Sequence, residues 1–256
     1  MICDAIHSTS DVFTTFIVIV GIHLSSKESD DEHPYGHERL ECVAAIILSM
    51  ILFMTGLFIG IEVLQTLLTK RFEYLPVPDT LALIAAFISI VTKEIMYWYT
   101  RYYAVLFDSP SLKADAWHHR SDSLSSIGAL IGIIGAQIGY LIMDSIASFV
   151  IFIFIIKASY DIFKDAVNKM IDHSCDEITQ KNIYDEVISN KDVLGIDRFQ
   201  TRIFGNKIYI DVDIQVCKDD TLLHAHSVAQ NVHDSIENNF PQVKHIMVHV
   251  NPAKDV

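Results

Sequence analysis

Five apolar runs fill the N-terminal part of this 256-residue chain, each close to the ~20 residues that a helix needs to cross a bilayer. They cover residues 6–24, 40–68, 81–99, 123–137 and 140–157, and the fourth follows a polar lead-in. The first run has neither a basic leading segment nor a small-residue cleavage site, so it reads as a spanning helix and not as a signal peptide. After Lys157 the pattern turns amphipathic in ASYDIFKDAVNKMID, which suits a linker over 158–175. Residues 176–256 then read as helix 177–189, strand 193–203, strand 207–216, helix 222–240 and strand 245–251, with Gly205-Asn206 supplying a hairpin turn. The expected architecture is an α-helical membrane bundle of five transmembrane helices followed by a small α+β domain of αββαβ order.

Period two assigns faces to those strands. Ile208, Ile210, Val212 and Ile214 face one way, with Tyr209, Asp211 and Asp213 opposite; in the last strand Ile246, Val248 and Val250 face the core, and His245, Met247 and His249 share the outer face. Acids and histidines therefore meet on one sheet surface if those strands are neighbours. Gly56/Gly60 and Gly128/Gly132 are G-x-x-x-G pairs that permit close helix approach, and Lys93 and Glu94 are expected to pair or snorkel.

The composition agrees with a membrane part and a soluble remainder: 51% of residues are hydrophobic. A net charge of −13 excludes nucleic acid as a partner, because such binding needs a basic footprint. Cys3, Cys42, Cys175 and Cys217 are scattered without a C-x-x-C, so reduced, mostly buried thiols are expected, with Cys175 beside His173 as a minor metal candidate. Lys27, Arg39, Arg101, Lys157 and Lys164 flank one side of the spans and Lys70 and Arg71 the other, which places the C-terminal portion in the cytoplasm.

The chemistry concentrates in residues 113–128, KADAWHHRSDSLSSIG, at the mouth of an apolar run. A charged side chain at the bilayer centre costs ~2.5–3.5 kcal/mol on insertion scales, so such residues mark function. His118 and Asp122, four apart, share one helix face. His7 and Asp11 repeat the spacing in the first run, and together the pairs offer two imidazoles and two carboxylates. That set suits tetrahedral Zn²⁺, with Co²⁺, Fe²⁺ or Mn²⁺ compatible by ligand type. Spacing does not choose between His118 and His119, since His119 lies three from Asp122 and four from Asp115. Between the first two runs, KESDDEHPYGHE sets Asp30, His33 and His37 on one short turn as a further metal candidate. An intramembrane metallohydrolase is disfavoured: four ligands would close the coordination sphere, and no H-E-x-x-H occurs.

The segments DAIHSTSD, DDEHPYGHERLE and KADAWHHRSDSLSS resemble, in the same order, the signature stretches of the cation diffusion facilitator family of divalent metal transporters. The resemblance implies an intramembrane metal site at His7, Asp11, His118 and Asp122, which favours His118 over His119. It also implies a cytoplasmic loop site at Asp30, His33 and His37, and cytoplasmic-domain ligands at His226, His249 and Asp213. Two further family positions align with Asp197 and Asn251. Residues 1–157 are then a transmembrane metal-transport domain, and 176–256 a metallochaperone-like dimerisation domain. The function implied is efflux of divalent metal, zinc in first place, by zinc/proton antiport through alternating access. Alternatives are a transporter for iron, manganese or cobalt, or a non-transporting membrane metal sensor. No enzyme activity and no cofactor beyond the metal are implied. Partners are divalent metal ions, protons, membrane lipid and a second copy of the chain, and the location is a bacterial plasma membrane. The best match begins at the family's second helix, so an upstream apolar segment of ~20 residues is expected in the working protein.

Overall fold

The computed structural model describes residues 2–69, 80–137 and 143–253, and within them the side chains of residues 13–66, 68, 69, 87–128, 130, 131, 134 and 145–253. Five helices come first: α1 (Ile2–Ser25), α2 (Arg39–Thr69), α3 (Thr80–Leu106), α4 (Pro110–Gln137) and α5 (Met143–Met170). Two described stretches, Arg39–Thr66 with mean hydropathy 2.6 and Ser145–Met170 with 2.0, are long and apolar enough to cross a membrane; Phe13–Ser25 is a shorter apolar helix. The other helices differ for a visible reason in α4, whose first half carries Lys113, Asp115, Arg120 and Asp122.

The polar lead-in to the fourth run is part of the helix. Ser109 caps it by accepting from the Leu112 amide (3.2 Å), and Pro110 stands in the first turn, where its missing N–H costs nothing. The chain between α3 and α4 is tied to α2, because Glu41 accepts from the hydroxyls of Ser109 and Ser111 (3.0 Å for the latter). The stretch 158–170 continues α5, with Ala158, Ile162 and Ala166 buried at four-residue intervals. α3 and α2 pack on α4, and α1 adjoins both α2 and α4. Val18, Leu48, Leu52, Ala114, Ile151, Ile155 and Ile162 form the core of this bundle. Phe16, Phe58, Trp98 and Phe154 point outward, an apolar surface suited to hydrocarbon. Gly56 and Gly60 allow α2 to meet α5: a Cβ on Gly56 would stand 2.9 Å from Ile155 Cγ2, and one on Gly60 2.7 Å from the Phe152 ring.

The chain divides into two compact units, Met1–Val167 and Asn168–Val256. The second holds α6 (Glu177–Ser189), β1 (Gly195–Phe204), β2 (Lys207–Val216), α7 (Leu222–Asn239) and β3 (Val243–Pro252). Asp176 caps α6 through the Thr179 amide (3.0 Å); the Thr179 hydroxyl first, and then this amide, hold its carboxyl below the usual carboxylate range, and Thr221 caps α7 through the His224 amide (3.2 Å). β1 and β2 form an antiparallel hairpin that turns at Gly205, whose φ of 65° suits glycine. β3 runs parallel to β2 with α7 as the crossover, so the sheet order is β1-β2-β3. Ile208, Ile210, Val212, Ile214 and Val216 bury one sheet face against Ile183 and Val187 of α6 and Val228, Val232 and Ile236 of α7.

Candidate metal centres

α4 carries four buried titratable side chains in two turns: Asp115, His118, His119 and Asp122. Helical geometry sorts them into two pairs. His118 Nε2 lies 4.0 Å from Asp122 Oδ2, and His119 Nε2 lies 3.6 Å from Asp115 Oδ2. The two adjacent histidines thus serve different carboxylates, a distinction that spacing alone leaves open. Asp115 Oδ1 is buried with no hydrogen-bond partner among the described residues. The candidate partners of His118 and Asp122, His7 and Asp11, sit on α1, and their side chains lie outside the described residues.

α3 supplies charges of both signs to this face. Lys93 Nζ is 3.1 Å from Asp122 Oδ2 and largely buried, so an ammonium faces the carboxylate that is the candidate ligand. Glu94 accepts from Arg120 and from Ser123 Oγ (2.8 Å), and Arg120 also lies over the Tyr97 ring, 4.7 Å from its centroid. The expected pairing of Lys93 and Glu94 is thus seen, with partners on α4. One turn past Asp122, Ser125 borders a cavity of ≈ 260 Å³ lined also by Glu62 and Thr66 of α2 and Ser145 and Ser148 of α5. Sequence reading missed Glu62; its signal was an unmatched acid inside an apolar run.

The loop before α2 gathers Asp30, His33 and His37, whose ligand atoms lie within 4.8 Å of one another. Gly36, at φ 97°, makes the turn that brings the rings to 4.5 Å between centroids. His33 Nδ1 is 3.4 Å and His37 Nε2 3.5 Å from the Asp30 carboxylate. His37 is buried and directs Nδ1 at the Glu28 carbonyl (3.1 Å), an arrangement that favours a proton on Nδ1 and leaves Nε2 free to bind metal. Lys27 at 2.8 Å, then the His33 amide at 2.8 Å, hold the Asp30 carboxyl well below the usual range, so it is anionic at neutral pH.

In the second unit, Asp213 and His249 are cross-strand partners on β2 and β3, which places acids and histidines on one sheet surface. Arg198 grips Asp213 at 3.1 Å, while His226 is exposed on α7, and these three do not gather into one cluster. Asp197 accepts from Gln215 (2.6 Å) and Asn251 (3.0 Å). The cluster that does form here among the described residues is His233, Glu237 and His245. Its sequence signal was the four-residue step from His233 to Glu237; His245 joins only through the fold. Cys175 is buried with Sγ 3.3 Å from Thr201 Oγ1, and burial pushes its thiol up, so it is protonated and a poor ligand. His173 beside it turns Nδ1 to the Ser174 carbonyl at 2.7 Å.

Residues 1–171 match the family model described as cation efflux transmembrane domain, and 175–253 the one described as cation efflux protein, cytoplasmic domain. The manganese efflux system protein MneP of Bacillus subtilis is 33% identical over 97% of this chain and 85% of its own length. The magnetosome protein MamB of a Magnetospira strain is 28% identical over 99% of this chain and 86% of its own. Among solved structures, the copper form of a MamM C-terminal domain variant covers 30% of this chain and 98% of its own at 19% identity, with a TM-score of 0.30.

Proposed function

The chain belongs to the cation diffusion facilitator family of divalent metal cation efflux proteins, and from that premise we propose that it exports zinc in exchange for protons. The observation that carries the zinc reading is the buried His118–Asp122 pair on α4, matched by His7 and Asp11 on α1, which adjoins α4. A site with two imidazoles prefers Zn²⁺ over the harder Mn²⁺. The manganese reading stays as the second one, because MneP, a relative at 33% identity, is named a manganese efflux protein.

The cycle follows from charge. Lys93 Nζ stands 3.1 Å from Asp122 Oδ2, so a divalent cation that takes Asp122 as a ligand displaces the ammonium. Metal binds neutral imidazole and ionised carboxylate, so loading expels protons, and protons arriving from the other side expel metal. The cavity that begins at Ser125, where Glu62, Thr66, Ser145 and Ser148 stand among Ile59, Val63 and Ile151, is the proposed exit path. Five transmembrane helices, rocking to expose the site to each side in turn, and a second copy docked through the cytoplasmic domain complete the scheme. The Asp30, His33 and His37 loop collects metal at the cytoplasmic entrance, and Asp213, His226 and His249 are the candidate ligands of a separate site in the cytoplasmic domain. A bacterial plasma membrane is the proposed location.

The test is uptake into proteoliposomes. With an opposed proton gradient, ⁶⁵Zn²⁺ accumulates and excess unlabelled Mn²⁺ competes weakly. Equal competition by Mn²⁺ would transfer the reading to manganese, and no movement of either metal would sink it.

A further inference from the structure

The cluster in the second unit shares no residue with the sites above. His233 and Glu237 stand on successive turns of α7, with Nε2 and Oε1 3.3 Å apart, and one ligand atom from each of His233, Glu237 and His245 lies within 4.8 Å of the others. Core packing fixes these positions: Val232 and Ile236 anchor α7, and Val243 and Ile246 anchor β3 on either side of His245. Between the pairs Ile208↔Val243 and Tyr209↔His245, β3 holds one residue more than β2, so Lys244 bulges and His245 follows it directly. Bulges of this kind re-aim side chains at strand ends.

The imidazole of His233 is also set for metal. Its Nδ1 lies 3.3 Å from Asp234 Oδ1, and Asp234 is itself held by Gln230 Nε2 at 2.8 Å. Asp234 thus stands at the ring nitrogen opposite the one that faces Glu237, the orienting support that metal-ligating histidines almost always have. Two imidazoles and one carboxylate make a borderline donor set, and three protein ligands leave a coordination position for water.

We propose that His233, Glu237 and His245 form a divalent metal site of the zinc class that clips α7 to strand β3. His233 is 30% and Glu237 40% exposed, so water reaches the ligands and the metal exchanges readily. Occupancy therefore follows free metal concentration, and the clip stiffens the helix-to-sheet contact only when metal is abundant.

The experiment uses the full chain purified in detergent. Bound zinc at saturation is counted for the unaltered protein and for a double variant, His233→Gln with His245→Gln, whose surface positions keep polar side chains. A loss of one zinc per chain is expected; an unchanged count would overturn the proposal. A second chain carries Asp11→Ala, Asp122→Ala, Asp30→Ala, His33→Ala, His37→Ala, His226→Ala and His249→Ala, which removes the other candidate sites. It should retain one site for Co²⁺, read by visible absorption, which Asp234→Asn weakens by about tenfold through the lost orienting bond. A folded background chain that binds no Co²⁺, or whose binding survives the double variant, would equally overturn it.

Discussion

Asp122 is where the competing demands on single residues meet. It is buried, four residues from His118, and held by Lys93 at 3.1 Å. Asp122→Ala removes a proposed metal ligand without removing a packing group, so zinc transport should vanish while expression and elution profile stay normal; normal transport by the purified variant would misplace the site. Lys93→Gln removes the cation that competes with metal for the same carboxylate. A hydrogen bond to a charged group is worth ~1.5–3 kcal/mol, so the KM for zinc should fall by about tenfold. A raised KM would show instead that Lys93 helps to build the site. His7→Asp would replace an imidazole by a third carboxylate, and competition uptake should show wider acceptance of Mn²⁺ and Cd²⁺.

Among the elements, the α2–α5 contact and the β2 strand make sharp predictions. Gly60→Leu would drive a side chain into the Phe152 ring, and overpacking of this kind costs ~1–3 kcal/mol. The variant should show a lower unfolding temperature in detergent, whereas substitution at outward-facing Phe58 should not. In β2, Ile214 is fully buried among α6, α7 and β3, and Ile214→Ala should destabilise the second unit by ~2–5 kcal/mol. Metal stoichiometry at the proposed α1–α4 site should be unaffected, since the two compact units have separate cores.

For the molecule as a whole, the proposed exchange ties metal movement to pH. Loading expels protons from the ligands, so zinc accumulation should collapse when an ionophore dissipates the proton gradient and should slow as the metal-loading side is acidified. Accumulation that ignores both would leave metal efflux in place and remove proton coupling.

Local pattern was enough for much of this protein. The limits of α6 and β2 follow from the Asp176 cap and from strict alternation in KIYIDVDIQV, signals contained within a few residues. The Asp30, His33 and His37 cluster was legible for the same reason, because eight consecutive residues and one glycine turn assemble it. The membrane bundle was legible from apolar runs, and the family from three short segments. Tertiary structure decided what depends on distant partners. Lys93 reaches Asp122 across 29 positions, and Glu41 reaches Ser109 across 68, so neither pairing leaves a periodic trace. The polar start of α4 looked like a lead-in because hydropathy reports the solvent a segment prefers, whereas the helix is set by its cap and its backbone bonds. His233 and Glu237 become a candidate metal site only when the crossover after α7 returns His245 beside them, a juxtaposition made by core packing and one bulged residue.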